Sequence, residues 1–240
     1  MILNLNNKNI FAFSDTHGNQ IVLQVPENVD IVICAGDAVE DNLVGDEYDD
    51  FIEWFSSIPS KWKIFVPGNH ELSFELGQAD RIIQRMTEKG ISVLEDAIED
   101  CDGVIIASIS GSSSVSEEDI PEDIDIVVTH NPPFGILDEN MGSTNILNFI
   151  MKAKPKYHLF GHIHSTAGQN VQFGDTKCIN IGIKSLSIKL PLYGVLEDAQ
   201  PSLCFTPNLR IEIYLLTLLI SITLGCRGVQ CALADRMFSE

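Results

Sequence analysis

The sequence predicts an α/β fold, because short apolar runs alternate along it with segments of helical periodicity. Five runs rich in β-branched and aromatic side chains have the length and composition of buried strands, namely residues 10–13, 31–34, 64–66, 126–128 and 157–160. Residues 48–58 place Tyr48, Phe51, Ile52 and Phe55 at helical spacing, which predicts an amphipathic helix over a sheet. A chain of 240 residues is long enough for one such domain with a self-sufficient core.

The other predicted elements continue this alternation. They are a helix over residues 79–89, a strand over 103–109, a helix from Ser143 or Thr144 to Ala153, and a pair of strands over 171–173 and 178–181. Gly90 ends the first of these helices, and Lys154 and Pro155 end the second.

Metal-type side chains collect directly after the predicted strands. The chain has six histidines, and five of them lie in short clusters beside an Asp, an Asn or a Gly. Together with a cluster that carries only a carboxylate, these clusters cover residues 14–19, 35–37, 68–71, 129–133 and 161–164. Because ligand sites of open α/β sheets lie at the carboxyl ends of the strands, we expect the clusters to form one site. His158 lies within a strand instead, and we expect it to be structural or to support a ligand.

His162 and His164 form the pair from which this interpretation starts. In an extended segment, side chains two residues apart point to the same side, so both rings can face one small volume. Neutral imidazole is a common metal ligand. Taken alone, the pair fits an exposed loop equally well, but the other clusters favour a metal site.

Taken together, the clusters resemble the motifs of the calcineurin-like metallophosphoesterases. The family motifs D-x-H, G-D, G-N-H-[ED], x-H and G-H-x-H occur here in that order, at residues 15–17, 36–37, 68–71, 129–130 and 161–164. The resemblance covers residues 9–182 and is greatest to the small phosphodiesterase branch. It implies a four-layer sandwich of two mixed β-sheets flanked by helices, within a metallophosphoesterase domain of residues 1–183.

The resemblance also implies a role for each motif residue. One metal ion would be held by Asp15, His17, Asp37 and His164, and a second by Asp37, Asn69, His130 and His162. Asp37 would bridge the two ions, so it is predicted to be a catalytic residue as well as a metal ligand. His70 would hydrogen-bond the phosphate and protonate the leaving oxygen, unless it only orients a neighbouring ligand. Carboxylate, imidazole and amide oxygen without thiolate suit Mn, Fe or Zn.

The expected activity is hydrolysis of a small phosphodiester by a hydroxide that bridges two metal ions about 3.5–4 Å apart. Protein Ser/Thr phosphatases of the superfamily continue their G-D motif with an arginine, whereas residues 38–42 contain none. One alternative is a phosphomonoesterase or protein phosphatase of the same superfamily. Another is a catalytically weak metal-binding scaffold tethered through its apolar tail.

Charge and cysteine content limit partners and compartment. The formal net charge is −19, which disfavours nucleic acid as a stable partner because phosphate contacts dominate such binding. The acidic runs are interpreted as solvated faces. The six cysteines form no CxxC motif and no dense framework, and the first residues lack a secretory pattern. We therefore expect reduced thiols and a cytoplasmic protein.

Residues 184–240 depart from the family and are predicted to be a divergent C-terminal tail. Within them, residues 211–224 are strongly apolar but shorter than the roughly 20 residues that span a bilayer. A buried helix is the favoured interpretation, and a strand or a membrane-touching segment are the alternatives.

Overall fold

The computed structural model describes residues 1–109 and 123–183, and it confirms the predicted α/β sandwich of two mixed sheets flanked by helices. The predicted tail, with its apolar segment 211–224, lies outside the described residues. Within the part of the chain that is described, no helix is long and apolar enough to cross a membrane.

The first sheet has five strands in the order β1-β2-β3-β4-β5. Their bounds are Ile2–Leu5, Lys8–Phe13, Ile31–Cys34, Trp62–Phe65 and Ser92–Val93. β1 and β2 form an antiparallel hairpin, and β2 to β5 are parallel, so the loops that follow β2, β3 and β4 meet at one edge.

The second sheet has six strands in the order β10-β11-β9-β8-β7-β6. In chain order, from β6 to β11, they are Ile98–Asp100, Ile105–Ser108, Ile126–Val128, Tyr157–Phe160, Asn170–Phe173 and Thr176–Asn180. Strands β7, β8, β9 and β11 are parallel, and antiparallel strands close both edges. A bridge between Ser14 and Gly182 joins the ends of the two sheets.

The strands of the first sheet are apolar on both faces because each face meets another layer. In β2, Ile10 and Ala12 belong to the core between the two sheets, whereas Phe11 and Phe13 pack in the core under the helices. This alternation follows from the two-residue period of a strand. It explains why β2 and β3 appear in the sequence as continuous apolar runs.

The three predicted helices begin and end close to the predicted positions, and one further, short α-helix that was not predicted occurs among the described residues. The four α-helices are α1 (Tyr48–Ser57), α2 (Leu72–Glu75), α3 (Asp80–Glu88) and α4 (Thr144–Ala153). Ser143 is the cap of α4, since its side chain accepts a hydrogen bond from the amide of Ile146. Lys154 then takes a left-handed conformation at φ 47°, which ends the helix.

Helix α1 supplies the aromatic packing that covers the first sheet. All four residues predicted to face inward are buried, and Phe55 stacks on Phe51 with ring centroids 5.3 Å apart. The edge of Phe55 meets Phe13 of β2 at 5.8 Å. The ring centroid of Trp54 lies 5.6 Å from that of Phe13, so this tryptophan packs against the same core.

We expect Phe55→Ala to lower the free energy of unfolding by about 3–5 kcal/mol, because it removes a fully buried ring and leaves a cavity. Phe134→Ala is the matched control, since Phe134 is 51% exposed and its loss should change stability by less than about 0.5 kcal/mol. Urea denaturation of both variants measures the difference. Equal effects would contradict the packing described for α1.

Candidate metal centre

The predicted ligand loops meet at the carboxyl ends of the parallel strands. Asp15 and His17 follow β2, Asp37 follows β3, Asn69 and His70 follow β4, His130 follows β8, and His162 and His164 follow β9. The first sheet thus contributes both aspartates, and the second contributes three of the histidines. All seven predicted ligands are brought to this one place by strand order, although they span about 150 residues of sequence.

The side chains form two groups that could each hold a metal ion. One group is Asp15, His17 and His164, and the other is Asp37, His130 and His162, with the ligand atoms of each group within 4.8 Å of one another. They correspond to the two ligand sets that the family resemblance implies, except that those sets share Asp37 and include Asn69. A third group, His17, Glu40 and His70, also meets this distance, but its members are already joined by short hydrogen bonds.

Asp37 lies between the two groups. Its Oδ2 atom is 3.2 Å from His130 Nε2 and 3.9 Å from His17 Nε2. Asn69 Oδ1 lies 2.9 Å from the same His130 nitrogen, which places the amide beside the second group. This is the position that a bridging carboxylate needs.

Several nitrogen and oxygen lone pairs of the site face one another, and a positive charge between them would remove this repulsion. His130 Nδ1 lies 2.8 Å from the carbonyl oxygen of Ala35, so the ring proton is placed on Nδ1 and the lone pair on Nε2. That lone pair faces two further acceptors, on Asp37 and Asn69. Likewise, His17 Nε2 and His164 Nε2 face each other at 3.3 Å. A cation in each group would turn these contacts between acceptors into coordination.

The shifted pKa values of His130 and Asp37 also indicate that the site favours a bound positive charge. Burial alone would lower the pKa of His130, but the hydrogen bond and charge of Asp37 outweigh it and raise this pKa to about 9. Burial raises the pKa of Asp37, and the hydrogen bond and charge of His130 more than reverse that shift. Without a metal ion, a proton on His130 would have to balance the carboxylate.

Four of the predicted ligands have left-handed backbone conformations, which are uncommon for residues other than glycine. They are Asp15, His17, Asp37 and His162, with φ between 44° and 68°. Hydrogen bonds hold these conformations in place. The amides of Asp15 and His17 donate to the carbonyl oxygens of Gly36 and Asp37, and the amide of His162 donates to Asp15 Oδ1 at 2.9 Å.

Two motif glycines are required by the close approach of these loops. A Cβ atom on Gly161 would collide with the side chains of Ser14 and Asp15, and one on Gly68 would collide with the side chain of Asp37. Glycine at these positions therefore lets the carboxylates reach the backbone of the neighbouring loop.

Glu71 joins the loops that follow β3 and β4. Its carboxylate is fully buried and accepts hydrogen bonds from four backbone amides, those of Asp37, Ala38, Val39 and Gly68, at 2.6–3.3 Å. Burial and the charge of Asp37 raise the pKa of Glu71 to about 7. A cation beside Asp37 would relieve this crowding of negative charge. Glu71 lies within the G-N-H-[ED] motif of the sequence, but no role was predicted for it.

Glu40 is a second residue whose role the sequence analysis missed, because it lies in a run interpreted as a solvated face. Its two carboxylate oxygens lie 2.7 Å from His17 Nδ1 and 2.7 Å from His70 Nδ1. The carboxylate therefore holds both Nδ1 protons and leaves both Nε2 atoms for other partners. The sequence signal that could have identified Glu40 as part of the site is its position three residues after Asp37, in the same loop.

His70 stands at the mouth of the site. Its side chain is 40% exposed, and its Nε2 atom lies 4.0 Å from Asp37 Oδ2. Its amide donates to Asp37 Oδ1 at 2.9 Å, which fixes the ring beside the ligands. Partial burial lowers the pKa of His70, but its hydrogen bond to Glu40 and the charge of Asp37 raise it overall.

His158 is fully buried and belongs to none of the metal-type groups found among the described residues. Its Nε2 atom lies 2.8 Å from Thr129 Oγ1, and the Thr129 hydroxyl donates to the carbonyl oxygen of Asn131. Burial lowers the pKa of His158 to about 3, so the ring is neutral at physiological pH. It thus supports the backbone on both sides of His130.

Comparisons with known proteins agree with this geometry. A sequence profile of the family described as calcineurin-like phosphoesterase matches residues 8–166. A UPF0046 protein of Caenorhabditis elegans is 32% identical over 71% of this chain and 68% of its own length. Metallophosphoesterase domain-containing protein 1 of Homo sapiens is 27% identical over 71% of this chain, which spans 64% of the human protein.

The fold has a counterpart among solved structures. The phosphopantetheinyl hydrolase of Mycobacterium tuberculosis superposes with a TM-score of 0.55 over 81% of this chain and 98% of its own, at 15% identity. Such a likeness supports the fold alone, but the matched family profile includes every predicted ligand loop. The chain belongs to the calcineurin-like phosphoesterase family of metal-dependent phosphoesterases.

Proposed function

We propose that this chain is a dinuclear metal-dependent hydrolase of small phosphodiesters. The observation that carries the proposal is the position of Asp37 between the two groups of candidate ligands. Asp15 is the carboxylate of the first group, and Asp37 belongs to the second group but also lies beside the first. Asp15, His17, Asp37 and His164 would hold one ion, and Asp37, Asn69, His130 and His162 the other. The donor set of carboxylate, imidazole and amide oxygen suits Mn, Fe or Zn.

When bound, the two ions supply positive charge for the phosphoryl oxygens and make a nucleophile available from water at neutral pH. The protein holds the ligands for this task in advance. Buried hydrogen bonds to Glu71 and left-handed ligand conformations fix the loops, so the site needs little reorganisation when substrate arrives.

His70 is proposed as the proton donor to the leaving oxygen. Glu40 holds its Nδ1 atom, so Nε2 is the nitrogen that faces the site and carries the transferable proton. The raised pKa of His70 favours the protonated ring that a general acid requires. Its half-exposed position lets it contact substrate.

The charge around the site favours a diester over a monoester. Glu40 is exposed over 63% of its side chain beside His70, and no arginine follows Asp37 in the loop. A phosphomonoester carries more negative charge than a diester and would meet greater repulsion here. The same charge disfavours phosphoproteins and nucleic acid.

We expect the purified protein to contain about two transition-metal ions per chain and Asp37→Asn to lose them. Removal of a residue that only hydrogen-bonds a metal ligand typically lowers metal affinity by about 10–100-fold. Removal of the bridging ligand itself should therefore lower metal affinity by more than roughly 100-fold. Metal analysis after gel filtration measures this loss. Asp50→Asn removes an exposed carboxylate on α1 and should leave the metal content unchanged. Retention of both ions and normal activity in Asp37→Asn would disprove the assignment.

His70→Ala separates proton donation from metal binding. We expect the variant to keep both ions and to lose on the order of 10²–10⁴-fold in kcat on an alkyl phosphodiester. The loss should be much smaller on a nitrophenyl diester, whose leaving phenolate needs little protonation. Equal losses on the two substrates would show that His70 mainly positions the phosphate, and loss of a metal would show that it supports a ligand.

A further inference from the structure

A cavity of about 530 Å³ adjoins the candidate metal centre on the side of Asn69 and His130, which form part of its wall. This volume lies within the range of small-molecule sites, about 300–1,000 Å³. If the proposed function holds, a phosphodiester bound at the ion that Asn69 and His130 would hold has one of its ester groups beside this space. The chemistry of the cavity wall then decides which alcohol that group contains.

Four buried apolar residues form part of the cavity wall. Val66, Phe74, Leu94 and Ile109 contribute to it, and each of them is less than a tenth exposed. Such a wall favours a group with carbon surface over a fully hydrated one.

Another part of the wall is acidic. Glu75, Glu95 and Asp96 line the cavity with exposed side chains, and no Lys or Arg occurs among its described lining residues. Desolvation and the charge of Asp96 raise the pKa of Glu95, because neighbouring carboxylates disfavour one another's ionisation. A positive charge in the cavity would favour the ionised form of Glu95, whereas the negative charge of a second phosphate would disfavour it further.

We propose that this cavity selects phosphodiesters whose non-leaving alcohol carries an ammonium group, with choline as a representative. The methyl groups or methylenes of such an amino alcohol fit the apolar part of the wall, and its charge fits the carboxylates of Glu75 and Glu95. The inference rests on the proposed function for the placement of the phosphate. The selection itself is a property of the cavity.

A matched pair of substrates tests this selection. Nitrophenyl phosphorylcholine and nitrophenyl 3,3-dimethylbutyl phosphate share one leaving group and one shape, and differ only in a quaternary nitrogen replaced by carbon. We expect kcat/KM to be about tenfold higher for the choline ester, the size expected of a few partly exposed ion pairs. The ratio should fall towards one in the Glu75→Gln/Glu95→Gln variant and at high salt.

The control variant is Glu27→Gln/Glu88→Gln, which removes the same charge from exposed positions outside the cavity wall. It should keep the preference for the choline ester. Equal kcat/KM values for the two esters in the unmodified protein would overturn the proposal. Persistence of the preference in Glu75→Gln/Glu95→Gln would also overturn it, because the selection would then arise elsewhere.

Equilibrium binding keeps this test separate from the proposed function. The dissociation constants of the corresponding non-hydrolysable phosphonates, one with the choline group and one with its carbon analogue, are measured by calorimetry. If neither ester is hydrolysed, the proposed function fails, and a tenfold difference in Kd that the Glu75→Gln/Glu95→Gln variant abolishes still supports the cavity's selectivity. Equal Kd values would overturn it.

Discussion

One buried carboxylate, that of Glu71, holds together the loops on which the candidate site depends. Its four hydrogen bonds from backbone amides cross from the loop after β3 to the loop after β4. A buried carboxylate without such donors would be costly, and the four buried amides would also be destabilising without an acceptor. The loops and Glu71 therefore stabilise one another, and Asp37 and Asn69 inherit their positions from this arrangement.

The same carboxylate adds to an imbalance of charge. Asp15, Asp37 and Glu71 are all buried within one small region, and Glu40 closes it from outside. Buried charges are tolerated in proteins when they are paired or coordinate metals. Among the described residues, the side chains placed to pair with Asp15 and Asp37 are histidines, and the Nε2 lone pair of His130 faces Asp37. Metal binding is thus the state in which the electrostatics of this fold are satisfied.

Much of the fold and the membership of the site were predictable from sequence because both leave local signals. Helix α1 has its apolar stripe, and α4 has the Ser143 cap, so both were placed within a residue or two. The ligand loops follow apolar runs, which marks them as strand ends. What these signals do not contain is which side chains meet across loops that are distant in sequence.

Glu40 and Glu71 illustrate the limit. Both are acidic residues in polar stretches of sequence. Only the packing of two loops in three dimensions brings Glu40 to two histidines and buries Glu71 as a hydrogen-bond acceptor. The hairpin of β1 was missed for another reason. Its alternating burial is weak, and its turn at Asn6 and Asn7, with φ of 49° and 61°, uses asparagine in place of the usual glycine.

The bridge between Ser14 and Gly182 has a consequence for how the domain acquires its site. These residues are separated by most of the described chain, and the ligands come from both sheets, so no local segment can bind metal with the full set. Contacts of such long sequence separation form late, since loop-closure entropy opposes them. A bound ion then stabilises only the completed fold, in proportion to the logarithm of its free concentration. Cellular metal supply would in this way set how much of the protein persists in its folded form.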